Sequence, residues 1–122
     1  MAKTILFVED SASVKQLLSS TLIREGYDVI LASDGQDAMD KLNGSKIHLI
    51  ISDVNMSTMD GLAFVKQANQ LPAYKFTPII MLTTETQEDK VNEGKAAGVK
   101  AWIVKPFQPA QLLAVVSQLI QA

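Results

Sequence analysis

The sequence predicts an α/β domain spanning residues 1–122, a parallel sheet with helices on both faces, and three observations carry that prediction. Five short apolar runs recur: Ile5-Leu6-Phe7-Val8, Val29-Ile30-Leu31, Leu49-Ile50-Ile51, Ile79-Ile80-Met81-Leu82 and Trp102-Ile103-Val104. The runs are continuous rather than alternating, which is the pattern of strands covered on both faces. Segments with helical spacing separate them, and a repeated strand-helix alternation implies right-handed crossovers.

The first run leads into a helix whose apolar stripe is Val14, Leu17, Leu18 and Leu22, with Gly26 as its stop. Asp10 with Ser11 is suited to cap it. After the second run, Asp34 caps a shorter helix that buries Ala38, Met39 and Leu42 and leaves through Gly44. His48, the one histidine, opens the third strand with no partner evident in the sequence. A third helix starts at Asp60, buries Leu62, Val65 and Ala68, and ends before Pro72; Leu71 to Pro78 reads as a loop. The fourth helical segment, roughly residues 87 to 97, is polar almost all round, with Val91 its one large apolar residue, so it is expected to be weakly anchored. The last helix begins near Pro109, a favoured first-turn residue, and buries Leu112, Val116, Leu119 and Ile120.

Composition narrows the function classes. With 48% hydrophobic residues in 122, the chain can bury a core without staples. A net charge of -2 and the absence of a basic run give no source for attachment to nucleic acid or for membrane insertion. Zero cysteines exclude disulfides, thiolate metal sites and thiol catalysis, and agree with a reducing compartment, so a cytoplasmic location is expected; the chain is also expected to be a monomer. No apolar stretch approaches the roughly 18 residues of a membrane span, and no leader or anchor is expected.

Four of the runs end on polar residues: Glu9-Asp10, Asp53, Thr83-Thr84 and Lys105. A parallel sheet brings those ends to one edge, where open α/β sheets bind ligands. Carboxylates gathered there repel, and a hard divalent ion such as Mg²⁺ resolves the repulsion with oxygen ligands. Asp10 and Asp53 are placed as direct ligands, Glu9 acts through water, Lys105 supplies an ammonium and Thr83 a hydroxyl. That set matches what phosphoryl transfer requires, with a carboxylate as nucleophile. There is neither a GxxxxGK[ST] loop nor a GxGxxG after the first strand, so the site suits a lone phosphoryl group rather than a nucleotide.

Glu9-Asp10, the stretch from Ser52-Asp53 through Asn55 to Asp60-Gly61, Thr83, and Lys105-Pro106-Phe107 together resemble the receiver domains of bacterial two-component response regulators. The resemblance covers essentially the whole chain. It implies a doubly wound, flavodoxin-like (CheY-like) sheet of order 2-1-3-4-5 with five helices. It also implies that Asp53 is the phosphoacceptor, taking the group from a histidine kinase's phosphohistidine. Asp10 and Asp53 would bind Mg²⁺ with the backbone carbonyl of Asn55, and Glu9 would support the metal's water shell. Lys105, followed by a cis bond to Pro106, would pair with the phosphoryl group. Thr83 and Trp102 would then shift inward and carry the change to the surface made by the fourth helical segment, the fifth strand and the last helix. Ser57 stands where proline is usual, and Trp102 where tyrosine or phenylalanine is usual.

Other readings stand beside these. Thr83 and Thr84 also suit a helix cap, Trp102 suits plain strand packing, Phe107 is expected to pack, and His48 is not a phosphoacceptor. The sequence ends just after its last helix, which leads to the expectation of a stand-alone receiver resembling the CheY type of chemotaxis regulator, whose target is the flagellar motor switch. Asn55 and Glu85 resemble residues that modulate autodephosphorylation in that type, so a short-lived phosphoryl group is expected; one lasting hours at neutral pH would contradict this. A dedicated phosphatase is a further expected partner. The rivals are a phosphorelay intermediate that hands the group to a histidine phosphotransfer protein, and a phosphatase with an aspartyl-phosphate intermediate, for which no further acid, base or cap is supplied.

Overall fold

The computed structural model describes residues 3–9, 11–42, 46–53, 61–83, 99–104 and 108–120, with the backbone alone at residues 61, 62 and 83. Its elements are β1 (Thr4–Val8), α1 (Ala12–Arg24), β2 (Asp28–Ala32), α2 (Gly35–Lys41), β3 (Leu49–Asp53), α3 (Gly61–Asn69), β4 (Ile79–Thr83), β5 (Ala101–Val104) and α4 (Pro109–Ile120). All strand pairs are parallel and the order is β2-β1-β3-β4-β5, as the resemblance implies. The expected fourth helical segment, 87–97, lies outside the described residues, so four helices are described.

Strand alternation divides the core in two. Leu6, Val8, Ile50, Ile79 and Met81 meet Ala38 of α2 and Phe64, Val65 and Ala68 of α3. Ile5, Phe7, Leu49, Ile51, Ile80, Leu82 and Ile103 meet Leu18 and Leu22 of α1 and Leu112 and Val116 of α4. Ile5 to Val8 of β1, Leu49 to Asp53 of β3 and Ile79 to Leu82 of β4 are all buried. At the sheet's edges burial is incomplete: Leu31 of β2 and Val104 of β5 are 41% and 45% exposed, because an outer strand has one neighbour and less helix above it.

Helix α1 starts at Ser11, whose hydroxyl accepts from Val14 N–H at 3.5 Å, and ends at Gly26, whose φ of 96° few side-chain-bearing residues tolerate. The expected stripe needs one correction: Leu17 is 57% exposed. Val14, Leu18 and Leu22 follow four-residue spacing on the buried side, and Leu17 is rotated about 100° from Leu18, toward solvent. Small hydroxyls fill the flanks instead; Thr21 is buried and returns its hydroxyl to the Leu17 carbonyl at 2.9 Å.

Asp34 caps α2 as expected, its carboxylate accepting from Asp37 N–H at 2.8 Å, while Asp37 reaches back to Ser33 N–H at 2.9 Å. These two bonds serve a helix of only seven residues, too short to be stable on propensity alone. Asp34→Ala is therefore expected to cost about 1 kcal/mol, read as a lower urea midpoint. Helix α3 buries Phe64 along with the expected Val65 and Ala68. The segment 71–78 is more ordered than a plain loop: Tyr74 is 3% exposed and its N–H donates to the Leu71 carbonyl at 2.9 Å.

His48 has a partner after all. Its N–H donates to the Thr4 carbonyl at 2.8 Å, and its Nδ1 accepts from Thr4 N–H at 3.0 Å. That bond requires an unprotonated Nδ1. Burial, then Lys3 and Lys46 nearby, hold the His48 pKa below its ordinary 6.5. The unfolded chain thus binds this proton more readily than the folded one. The resulting stability is complete above pH 6.5 and is lost as pH falls from there through the depressed folded pKa. His48→Asn keeps an acceptor that does not titrate, so urea midpoints measured against pH should lose this part of their slope.

Candidate functional site

β1 has β2 on one side and β3 on the other, so the strand order reverses here, and open α/β sheets bind ligands outside the carboxyl ends of the strands at such a point. Val8 pairs with Ser52, so the next residues, Glu9 and Asp53, stand level on neighbouring strands, whose spacing is about 4.8 Å. Both are buried, at 1% and 4% exposure. Glu9 N–H donates to the Ala32 carbonyl at 3.0 Å, which carries the β1–β2 ladder past the end of the strand and fixes the level of Glu9. Ser52, fully buried, donates its hydroxyl to the Asp53 carbonyl at 3.2 Å.

Two carboxylates this close and this dry repel when both are ionised, and ionised carboxylates are rarely buried without compensating charge. Their donor atoms are all oxygen, and the chain has no cysteine, so the pair fits a hard cation and not a soft one. Among the described residues no cluster of three or more histidine, cysteine, aspartate or glutamate side chains gathers. Asp10, the expected third carboxylate, lies outside them, as do Asn55, Ser57, Glu85, Lys105, Pro106 and Phe107.

The strand ends expected to converge do so where they are described. Asp53 pairs with Leu82, which puts Thr83 one residue beyond its level on the adjacent strand, and Thr83 pairs in turn with Val104. Trp102 pairs with Met81 and packs, partly buried, against the cluster beneath α2 and α3. Its indole N–H is buried without a hydrogen-bond partner among the described residues, an arrangement that costs free energy and leaves a donor to be satisfied by any rearrangement of that face.

One bond at this edge was not anticipated. Lys15 of α1 donates to the Ser33 hydroxyl at 2.9 Å, tying the helix to the turn that follows β2. The same turn is closed by Asp34 and Asp37, and Ala32 just before it holds Glu9. The sequence signal was the Asp34-x-x-Asp37 spacing, with Asp34 capping the helix and Asp37 accepting from Ser33 N–H just before the cap.

Comparison with known proteins agrees with this geometry. The family model for the response regulator receiver domain matches residues 5–117. Chemotaxis protein CheY1 of Helicobacter pylori is 40% identical over 110 residues, 88% of this chain and 89% of that protein. The alkaline phosphatase synthesis transcriptional regulatory protein PhoP of Bacillus subtilis is 40% identical over 122 residues, and there the chain spans half of the relative's length. The crystal structure of Vibrio cholerae chemotaxis protein CheY4 superposes with a TM-score of 0.93 at 46% identity, covering 98% of this chain and 99% of that one. The sheet order, the paired carboxylates at its switch point and the family match together place this chain in the response regulator receiver domain family.

Proposed function

We propose that Asp53 accepts a phosphoryl group from a histidine kinase's phosphohistidine and that the altered charge at this strand end changes binding to an output target, in a chemotaxis setting. The chain is a two-component signalling receiver and not a conventional enzyme. The observation that carries the proposal is the level pairing of Glu9 and Asp53, both buried, at the point where strand order reverses.

In the transfer, a carboxylate oxygen of Asp53 forms a bond to phosphorus as the bond from phosphorus to the kinase imidazole nitrogen breaks. The imidazole leaves with the electron pair, and Asp53 becomes an acyl phosphate. Hydrolysis reverses the charge change: water attacks phosphorus, inorganic phosphate leaves and the carboxylate returns. Asp10, Asp53 and the backbone carbonyl of Asn55 would hold Mg²⁺, with Glu9 on its water shell, and the ion when bound offsets the negative charge of the phosphoryl oxygens. On the resemblance, Lys105 and the Thr83 hydroxyl would serve the same oxygens, and Asn55 and Glu85 would modulate the hydrolysis. Trp102, with a donor to satisfy, carries the change outward.

The likeness to CheY1 and CheY4 along nearly their whole lengths supports chemotaxis, with a flagellar motor switch protein as the target. A relay reading draws on the receiver domain of a signal transduction histidine kinase from Syntrophus aciditrophicus, 32% identical with a TM-score of 0.90. Phosphorylated protein offered both a motor-switch peptide and a histidine phosphotransfer domain separates the two readings: binding to the first favours chemotaxis, loss of label to the second favours relay.

The central test supplies Mg²⁺ with acetyl phosphate and follows mass and the fluorescence of Trp102, the only tryptophan. A mass gain of one phosphoryl group with a fluorescence change is expected. No mass gain refutes the proposal; a mass gain without fluorescence change removes Trp102 from the readout and leaves Asp53 in place.

A further inference from the structure

The net charge of -2 conceals a segregation that appears once the strands are aligned. The carboxyl edge of the sheet carries Glu9 and Asp53. At the opposite edge, each of four strands is preceded by an exposed lysine: Lys3 before β1, Lys46 before β3, Lys75 before β4 and Lys100 before β5. None of these four forms an ion pair among the described residues, where the one pair is Lys41 with Asp37. Among the described residues the exposed carboxylates Glu25 and Asp28 lie where α1 leads into β2, at the far end of the strand order from β4 and β5.

Phe76 stands among these lysines at 89% exposure, the most exposed large apolar side chain described. Lys75 Nζ lies 5.7 Å from its ring centroid. The ring is displayed on an ordered turn. Tyr74 is buried beneath it, Thr77 N–H donates to the Tyr74 carbonyl at 3.1 Å, and Pro78 and Ile79 accept ladder bonds from Ile50 and Lys100 at 3.0 and 2.9 Å. Asn69, Lys75, Phe76, Thr77 and Lys100 line a shallow depression, and among these described residues there is no carboxylate.

A single exposed apolar residue is ordinary, but here a held aromatic ring, two ammonium groups, an amide and a hydroxyl share one concavity. Because the turn is already ordered, a partner gains the ring's apolar area at little entropic cost. We propose that this edge docks an acidic protein segment carrying an apolar side chain, which rests on Phe76 while its carboxylates meet Lys75 and Lys100. Charge complementarity selects that occupant. An anionic bilayer is a poorer fit, since one ring offers little to insert and the chain's net charge opposes approach. The docking is independent of Asp53, so it stands or falls separately from phosphorylation.

The test titrates the isotope-labelled full chain with a synthetic peptide of Asp and Glu around one central Phe, and with its Lys-for-acid counterpart, following backbone amide shifts. Saturable shifts at residues 75–77 and 100 with the acidic peptide alone are expected. Phe76→Ala and Lys100→Glu should each weaken binding at least about tenfold, a hot-spot-sized effect. Both positions are exposed, and labelling by acetyl phosphate in the Phe76→Ala variant should match the parent. Absence of shifts there, or shifts equal in the variants, overturns the proposal. So does preferential binding to vesicles of equimolar phosphatidylcholine and phosphatidylglycerol, or a self-association by sedimentation that Phe76→Ala abolishes.

Discussion

Asp53→Asn is expected to lower phosphorylation by acetyl phosphate by several orders of magnitude while leaving the sheet intact. The amide has nearly the shape of the carboxylate, so a side chain 4% exposed can be replaced without opening a cavity. The ladder around it is made by backbone groups and should be unaffected. What disappears is the anionic oxygen that forms the bond to phosphorus. Mass spectrometry after incubation with Mg²⁺ and acetyl phosphate should show the parent mass, and Trp102 fluorescence should stay flat. A phosphoryl adduct on the variant would mean that another residue is the acceptor.

How much of this was legible in the sequence depends on whether the signal is local. Runs such as Leu49-Ile50-Ile51 declare buried strands, and a polar residue directly after such a run marks the carboxyl edge; that is why Glu9 and Asp53 were found. The Asp34 cap was legible for the same reason, since its partner is three residues away. Properties set by strand order were not. Leu31 looks like a core residue until β2 proves to be an edge strand, and His48 finds Thr4, 44 residues away, because β1 and β3 are neighbours. Lys3, Lys46, Lys75 and Lys100 are scattered singly along the chain, and parallel topology alone gathers them at one edge. Asp10, Asn55, Glu85 and Lys105 rest on the motif, since they lie outside the described residues.

Phe64→Ala should be the costliest single truncation named here, at about 3–5 kcal/mol, enough to remove much of a small domain's stability. The ring is fully buried between α3 and the sheet face that carries Leu6, Ile50 and Met81. Without it, α3 keeps only Val65 and Ala68 as fully buried contacts among its described side chains, and a cavity that these small residues cannot fill remains. Leu17→Ala is the matched control. It removes a comparable apolar group from a position 57% exposed, and should move the urea midpoint by no more than about 0.5 kcal/mol equivalent. The two together test the correction to the α1 stripe as well as the importance of Phe64, because a sequence-only reading ranks them the other way round. Asp53 shares its strand face with Leu49 and Ile51, which belong to the cluster on the side of the sheet away from Phe64, so the folded fraction of Phe64→Ala should still take up the phosphoryl group when cooled or stabilised by an osmolyte. Loss of labelling in that folded fraction would show that α3 packing and acceptor geometry are coupled, and that the site depends on more of the core than its own strand ends.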